Sequence, residues 1–198
     1  MKLVLATQNP KKLKEMNEIL SHLGVEVVSE AELGVRIEVE ETGETFTENA
    51  RLKATAVMQA TGLPAVADDS GLCVDALNGG PGVYSARFGG EGLDDKGRYT
   101  LLLEMLRGQT DRAAHFHTSI VCAFPNGDEM VCEGECPGTI AFAPMGEGGF
   151  GYDPVFFVPE LRKTFGQLTA EEKASVSHRG KALRAFAAAL DDYLKGNE

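Results

Sequence analysis

The stretch that decides the fold is Leu63-Pro64-Ala65-Val66-Ala67-Asp68-Asp69-Ser70-Gly71. A short apolar run that ends in two carboxylates, a hydroxyl and a glycine is typical of a buried strand that carries acidic groups at its C-terminal tip. Because the adjacent Asp68 and Asp69 would repel each other, we expect a cation, such as a divalent metal, beside them. The alternative is an acidic exit from strand to turn, since Asp, Ser and Gly all favour turns.

The composition is that of an ordinary globular protein. Of the 198 residues, 43% are hydrophobic and 25% are charged, and we expect one domain that spans residues 1–198. The longest apolar runs, such as residues 155–158, are far too short to span a bilayer, and Met1 leads directly into a strand pattern instead of a signal peptide. These features predict a cytoplasmic protein without a membrane partner.

The charge balance restricts the classes of partner. Nineteen basic residues against thirty acidic ones give a net charge of -11, which would repel a nucleic-acid backbone. We therefore expect no nucleic-acid partner. A small phosphorylated ligand is still compatible with this charge, because basic residues can cluster locally and a metal ion can neutralise the rest. The four cysteines form no Cys-x-x-Cys pair and are most simply reduced and structural.

The start of the chain predicts a strand, a tight loop and an amphipathic helix. The loop is Thr7-Gln8-Asn9-Pro10-Lys11-Lys12, in which Asn9 can cap the helix and Pro10 suits its first position. Lys11 and Lys12 fall in or next to the first turn, where the helix dipole disfavours cations unless an anion is bound. This segment is therefore a candidate polyphosphate cradle, and the alternative is a solvated basic helix start.

Strand and helix patterns alternate along the rest of the chain. Further strands are predicted at residues 25–28, 63–67, 114–124 and 129–133, further helices at 45–61 and 96–106, and a last helix near His178. Residues 125–128 are predicted to form a hairpin turn. Glu40 and Lys53 are candidate site residues, and the alternative for each is a solvated surface position.

A glycine-rich aromatic loop, Gly146-Glu147-Gly148-Gly149-Phe150-Gly151-Tyr152-Asp153, is a further candidate. Glycines on both sides of Phe150 let the backbone approach a flat ligand, and the ring of Phe150 or Tyr152 could stack on it. The alternative is an aromatic anchor that packs into the core. His178 and Arg179 add cations at a predicted helix start, where a bound anion would offset the unfavourable dipole.

Seven motifs run in order along nearly the whole chain. They are Thr7-x-Asn9-x-x-Lys12, Glu40-Glu41-Thr42-Gly43, Glu48-Asn49-Ala50-x-x-Lys53-Ala54, Ala67-Asp68-Asp69-Ser70-Gly71-Leu72, Pro81-Gly82-Val83-Tyr84-Ser85-Ala86-Arg87, Gly149-Phe150-Gly151-Tyr152-Asp153-Pro154 and Ser177-His178-Arg179-Gly180. Together they resemble the inosine/xanthosine triphosphate pyrophosphatases, and their shared order is more specific than any one motif.

The resemblance implies a fold and an activity. The implied fold is α/β, elongated and two-lobed around a long mixed β-sheet, with the nucleotide in a cleft between the lobes. The implied assembly is a homodimer. The implied activity is hydrolysis of the purine nucleoside triphosphates ITP, dITP and XTP to the monophosphate and pyrophosphate, which removes deaminated purines from the nucleotide pool.

The resemblance also implies roles for individual residues. Glu40 and Asp69 would hold Mg2+, and Asp69 would also accept the proton in catalysis. The substrate-binding residues would be Thr7, Gln8, Asn9, Pro10, Lys11, Lys12, Lys53, Asp68, Ser70, Phe150, Gly151, Tyr152, Asp153, Lys173, His178 and Arg179.

The chemistry of these residues agrees with such a reaction. A carboxylate beside a metal ion, such as that of Asp69, can orient a water molecule and take its proton during attack on the α-phosphorus. Lys12 and Lys53 would offset the charge that builds on the departing pyrophosphate. Arg179 would pair with the 6-keto group of hypoxanthine or xanthine, whereas adenine presents an amino donor at that position.

Two other functions stay open on the sequence. One is a pyrophosphatase for other modified nucleotides, which would share the metal and phosphate groups and differ in the base pocket. The other is a nucleotide-binding sensor that holds a triphosphate without cutting it. Binding alone does not require a proton acceptor next to the α-phosphate, which argues against the sensor.

Overall fold

The computed structural model describes residues 1–7 and 9–196. Within them, the strands are β1 (Lys2–Leu5), β2 (Glu26–Ser29), β3 (Ala65–Val74), β4 (Ala113–Ala123), β5 (Glu129–Ile140), β6 (Phe156–Val158) and β7 (Lys163–Thr164). The α-helices are α1 (Pro10–Leu20), α2 (Phe46–Thr61), α3 (Asp95–Met105), α4 (Ala170–Val176) and α5 (His178–Gly196). None of these helices is long and apolar enough to cross a membrane.

The seven described strands form one sheet in the order β2-β1-β3-β4-β5-β6-β7. Strand β1 runs parallel to β2 and β3, whereas β6 is antiparallel to β5 and β7. Strands β4 and β5 are joined by a turn in which Phe124 N–H donates to the carbonyl of Asp128 at 3.0 Å. The predictions of an α/β fold, a mixed sheet and this hairpin are confirmed. Strand β5 continues past the predicted 129–133 to Ile140.

The chain divides into two compact units whose segments alternate along the sequence. Unit 1 consists of the described residues of Met1–Asp69, Thr118–Gly134 and Ala182–Glu198, and unit 2 of Ser70–His117 and Glu135–Lys181. Strands β3, β4 and β5 and helix α5 therefore each contribute residues to both units. The expectation that residues 1–198 form a single domain stays a prediction.

In unit 1, helices pack on both faces of the sheet. Val66 and Ala67 are successive residues of β3, so their side chains point to opposite faces. Val66 packs in one buried cluster with Met16 of α1 and Phe186 of α5, whereas Ala67 packs in another with Ala50 of α2. Small side chains let α2 approach the strand closely. Helices α1 and α2 are thus both held against β3 next to its acidic residues.

Unit 2 has a core of its own that is dominated by aromatic rings. The ring of Phe116 in β4 lies 4.6 Å from that of Phe156 and 5.6 Å from that of Phe165, measured between centroids. Tyr152 is buried in the same cluster. Since Tyr152 also belongs to the aromatic loop at residues 146–153, this core fixes one end of that loop.

The central strand is longer than the sequence predicted. A strand at 63–67 would carry the two aspartates at its tip, but β3 continues to Val74. The pairing of β3 with β1 ends where Val66 lies opposite Leu5, while β4 is the neighbour of β3 on the other side. Pairing with β4 satisfies the backbone and lets the strand run on through turn-favouring residues. The aspartates therefore lie just past the end of β1, inside β3.

Candidate active site

Asn9 begins helix α1, as the sequence predicted. Its side chain accepts a hydrogen bond from Lys11 N–H at 2.9 Å, and its own N–H donates to Thr7 Oγ1 at 3.2 Å. Pro10 occupies the first helical position, where a missing N–H costs no helical hydrogen bond. The first turn carries no acidic side chain, so its positive end is available to an anion. Gln8, also predicted to bind phosphate, lies outside the described residues.

Lys12 extends from α1 to the acidic stretch of β3. Its ammonium donates to Asp68 Oδ2 at 2.8 Å, and the side chain of Asp68 is only 3% exposed. A carboxylate buried to this extent needs a cationic partner, because an isolated charge away from water is strongly destabilised. The structure thus brings together two predicted substrate-binding residues. The preceding Lys11 is exposed.

Lys53 reaches the same stretch from helix α2. Its ammonium donates to the backbone carbonyl of Asp68 at 2.8 Å and to Glu41 Oε1 at 2.9 Å, and it lies 3.3 Å from Asp69 Oδ1. The three N–H groups of this ammonium are therefore directed to three oxygens on three different residues. We refer to Lys12, Glu41, Lys53, Asp68 and Asp69 as the acid–lysine cluster.

Asn49 is completely buried one turn before Lys53. Its Nδ2 donates to Asp69 Oδ2 at 3.3 Å, and its Oδ1 accepts from Gly43 N–H at 2.8 Å. Only this orientation of the amide matches both partners, because a carboxylate needs a donor and an N–H needs an acceptor. A capping box at Thr45 fixes the start of α2, on which Asn49 stands.

Burial and charge shift the pKa values of Asp69 and Lys53 in the same direction. Burial raises the pKa of the Asp69 carboxyl, and Glu41 raises it further, whereas Lys53 and Asn49 oppose the shift. Burial lowers the pKa of the Lys53 ammonium, but Asp69 and Glu41 outweigh burial and leave that pKa raised. In the acid–lysine cluster three carboxyl groups accompany two ammonium groups, so with all five ionised the cluster would carry a net negative charge, which favours a further cation.

Glu40, the predicted partner of Asp69 in metal binding, is exposed in a segment without regular secondary structure. The carboxylate that the structure brings to Lys53 belongs instead to the neighbouring Glu41. The role of Glu40 stays a prediction. Glu41 is an acidic residue of the site that the sequence reasoning did not single out, although the pair Glu40-Glu41 was part of a recognised motif.

In unit 2, the aromatic loop presents one exposed ring above an ion pair. The side chain of Phe150 is 76% exposed. Lys173 Nζ lies 4.8 Å from the centre of this ring and 2.5 Å from Asp153 Oδ2, which also accepts from Phe150 N–H at 2.9 Å. Burial raises the pKa of Asp153, although Lys173 opposes this shift. Three predicted substrate-binding residues are therefore in mutual contact.

Two other loop residues are tied to the rest of unit 2. Gly151 has a φ of 61° and donates its N–H to Asp95 Oδ2 of α3 at 2.7 Å. Tyr152 is buried and donates its hydroxyl to the carbonyl of Ser85 at 2.8 Å. The predicted alternative of a core anchor thus describes Tyr152, and its ring cannot stack on a ligand from this position. Phe150 is the ring that can.

The start of helix α5 holds the last predicted cations. Ser177 Oγ accepts from Gly180 N–H at 3.0 Å and caps the helix. The His178 ring stacks on Phe116 with centroids 4.7 Å apart, which fixes the plane of the imidazole. Arg179 follows in the first turn and is half-buried, and Ser70 of β3 is half-buried as well.

Comparison with known proteins identifies the family of the chain. A sequence profile of the Ham1 family matches residues 3–189, which is nearly the whole chain. The chain belongs to the Ham1 family. The predicted resemblance to inosine/xanthosine triphosphate pyrophosphatases is confirmed, because close relatives of the chain are named dITP/XTP pyrophosphatases.

Three relatives of this Ham1 family member illustrate the match. The dITP/XTP pyrophosphatase of Exiguobacterium sp. is 50% identical over 196 residues, which cover 99% of this chain and 100% of the relative. That of Thermus thermophilus is 53% identical over 194 residues, covering 97% and 93%. The solved structure of a HAM1 protein from Coxiella burnetii superposes with a TM-score of 0.93 at 43% identity, covering 97% and 99%.

The Ham1 family chain also contains site residues that sequence reasoning missed. Asn49 belongs to one of the seven motifs, but the sequence reasoning assigns it no role. Asp95 stands in the first turn of α3, where an acidic residue has a sufficient structural explanation in the helix dipole. In both cases the decisive contact, with Asp69 or with Gly151, joins residues far apart in the chain, so local patterns carried no signal for it.

Proposed function

We propose that the protein hydrolyses the non-standard purine nucleoside triphosphates ITP, dITP and XTP to the nucleoside monophosphate and pyrophosphate. Its Ham1 relatives are named dITP/XTP pyrophosphatases. The observation that carries the proposal for this chain is the acid–lysine cluster beside the first turn of α1. It combines cations for a polyphosphate with a carboxyl group whose raised pKa suits a proton acceptor.

The triphosphate is bound by unit 1 in this proposal. The N–H groups at the start of α1, together with Thr7 and Asn9, receive phosphate oxygens. Lys12 and Lys53 then exchange part of their contact with Asp68 and Asp69 for phosphate oxygens and offset the charge that develops on the leaving pyrophosphate. Gln8, Pro10 and Lys11 complete the predicted phosphate segment.

Mg2+ is the proposed cofactor. The excess of carboxyl over ammonium groups in the acid–lysine cluster, and the raised pKa of Asp69, both favour an added cation. Mg2+ keeps several of its waters when bound to protein and needs only one or two carboxylate ligands. Asp69 and Glu40 are the proposed ligands, and Glu41 adjoins them. When bound, Mg2+ neutralises and orients phosphate oxygens.

Asp69 is proposed to orient the attacking water and take its proton. A carboxyl group with a raised pKa holds a transferred proton better than an ordinary one, so its basicity is closer to what the step needs. The amide of Asn49 and the ammonium of Lys53 hold the two carboxylate oxygens. Lys53 opposes the rise in the Asp69 pKa that burial causes.

The purine base is bound by unit 2 in this proposal. Phe150 stacks on the base, while Gly151, Tyr152 and Asp153 shape the loop and Ser70 adds a hydroxyl. Lys173, His178 and Arg179 supply donors for keto groups, and Arg179 faces the 6-keto oxygen of hypoxanthine or xanthine. Adenine would leave this donor unmatched, which costs about 1–3 kcal/mol for a buried group. We further propose that the protein is a homodimer, that it is cytoplasmic and that it consists of one domain.

A substrate panel with product identification tests the function. Purified protein with Mg2+ is incubated with ITP, dITP, XTP, ATP and GTP, and products are separated by ion-exchange chromatography, with a chelator as the negative control. We expect pyrophosphate and monophosphate from the first three substrates. Orthophosphate would identify a different phosphohydrolase, and preference for ATP or GTP would contradict the proposed substrate class. Binding without any product would favour a sensor.

A further inference from the structure

Asn49 joins two parts of unit 1 that supply acidic groups. Its amide donates to the carboxylate of Asp69 in β3 and accepts from the N–H of Gly43, which follows the Glu41 segment. The side chain is 0% exposed. A fully buried amide loses its hydrogen bonds to water, so its protein partners must hold it in one orientation.

The backbone at Gly43 rests directly on this amide. A Cβ atom at position 43 would lie 2.7 Å from Asn49 Oδ1 and 2.7 Å from Glu48 Cβ, closer than real Cβ contacts allow. Gly43 does not have a positive φ. The glycine is therefore required here for space, and what occupies that space is the Asn49 side chain together with Glu48 Cβ.

Asparagine is suited to this place because it offers a donor and an acceptor on one short side chain. Aspartate would keep the acceptor for Gly43 N–H, remove the donor to Asp69 and add a like charge beside it. Alanine would remove both contacts. Comparison of the two substitutions therefore separates the effect of losing the hydrogen bond to Asp69 from the effect of losing the hydrogen bond to Gly43.

We propose that Asn49 is a positioning residue for the hydrolysis. Its amide fixes the rotation of the Asp69 carboxylate and couples it to the turn at Gly43, so that Asp69 meets the attacking water in one orientation. The proposal rests on the proposed role of Asp69 as proton acceptor. Asn49 acts through Asp69 and does not contact the substrate.

Asn17 provides a matched control. Its side chain also links two elements of unit 1, since Nδ2 donates to the carbonyls of Leu13 and Val27 and Oδ1 accepts from Val27 N–H. It belongs to neither the phosphate segment nor the acid–lysine cluster. Asn17→Asp therefore removes an amide donor in the same unit and measures the effect of destabilisation alone.

The test compares Asn49→Asp with Asn17→Asp under saturating Mg2+. We expect Asn49→Asp to lower kcat for ITP by about 10- to 100-fold while KM changes by less than about threefold. The Kd of a non-hydrolysable α,β-methylene ITP, measured by calorimetry, should stay within the same threefold range. Asn17→Asp should lower the melting temperature and leave kcat per folded molecule unchanged.

Gly43→Ala tests the coupling independently. It should also lower kcat, and the double variant Gly43→Ala/Asn49→Asp should lose less than the product of the two single effects, because both variants act through the position of the same Asn49 side chain. A normal kcat for Asn49→Asp, an equal loss in Asn17→Asp, or fully multiplicative effects would each overturn the proposal. Asp69→Asn separates failure of the Asn49 proposal from failure of the Asp69 assignment. If Asp69→Asn is inactive and Asn49→Asp is normal, only the role of Asn49 fails. If Asp69→Asn is active, the role of Asp69 fails.

Discussion

Lys53 Nζ lies 3.3 Å from Asp69 Oδ1, yet the pKa of the Asp69 carboxyl group is raised. An ammonium at this distance alone would lower it, so burial and the nearby Glu41 outweigh the ion pair. Asp69 therefore combines a close ammonium with a carboxyl group that holds a proton more firmly than an ordinary aspartate does. This combination is what a proton acceptor at the α-phosphate requires.

Replacing Asp69 by Asn should abolish turnover without unfolding the protein. Asn has the same shape and removes a carboxylate whose burial is costly, so the circular dichroism spectrum and the melting temperature should change little. Steady-state ITP hydrolysis should fall by at least about a hundredfold, the lower range for loss of a general base. Turnover at the wild-type rate would reject the assignment.

Lys53→Met should reduce kcat/KM by about a hundredfold, because the variant removes the preorganised charge that we propose to stabilise the leaving group. Arg51→Met on the same helix is the matched control. Arg51 pairs with Glu129 at 2.7 and 2.8 Å on the exposed side of α2, so its loss should cost no more than about 1 kcal/mol of stability and leave activity unchanged. Equal kinetic effects in the two variants would show that Lys53 contributes only to the stability of α2.

Arg179→Ala should reduce the preference for ITP over ATP. Loss of the donor that we propose for the 6-keto group should reduce the ratio of the kcat/KM values for ITP and ATP by roughly tenfold to a hundredfold. The ratio, measured with both nucleotides in one competition assay, is insensitive to the fraction of active protein. An unchanged ratio would remove Arg179 from base selection.

The raised pKa of Asp153 predicts that the stability of the protein depends on pH. Its pKa is raised in the folded protein above that of the unfolded chain, mainly by burial. The folded state therefore binds the proton more tightly, so this stabilising contribution is complete below the ordinary pKa of about 3.9 and is lost as pH rises through the raised value. The free energy of unfolding of the wild type relative to Asp153→Asn should thus fall with rising pH.

Urea unfolding of both proteins at steps between about pH 3.5 and 6.5 measures that difference. The residual pH dependence of Asp153→Asn serves as the baseline, because every other titrating group is shared. A difference that increases with pH would mean that Lys173 outweighs burial and that the Asp153 pKa is lowered.

The local elements of the fold could be predicted from the sequence because their signals are local. Asn9 and Pro10 define the start of α1, and Gly62 follows α2 in a left-handed conformation, which is a common way for a helix to end. The end of β3 could not be predicted in this way. Asp, Ser and Gly favour a turn, but the neighbouring strand β4 keeps them extended through contacts with a distant part of the chain.

The same difference between local signals and contacts with distant parts of the chain applies to the candidate site. Lys12, near a predicted helix start, and Asp69, after an apolar run, were candidates from local signals, and the structure groups them with Lys53 in the acid–lysine cluster. Glu41 was not distinguished from Glu40, because adjacent acidic residues are equivalent in composition and only the path of the backbone determines which one meets Lys53. Burial, which separates Tyr152 from Phe150, likewise depends on tertiary packing.

Hydrolysis of ITP in 18O-labelled water tests the central claim most directly. If water activated by Asp69 attacks the α-phosphorus, mass spectrometry should find one 18O atom in inosine monophosphate and none in pyrophosphate. Label in pyrophosphate or in released orthophosphate would mean that water attacks a different phosphorus. That result would contradict the role proposed for Asp69 and the acid–lysine cluster.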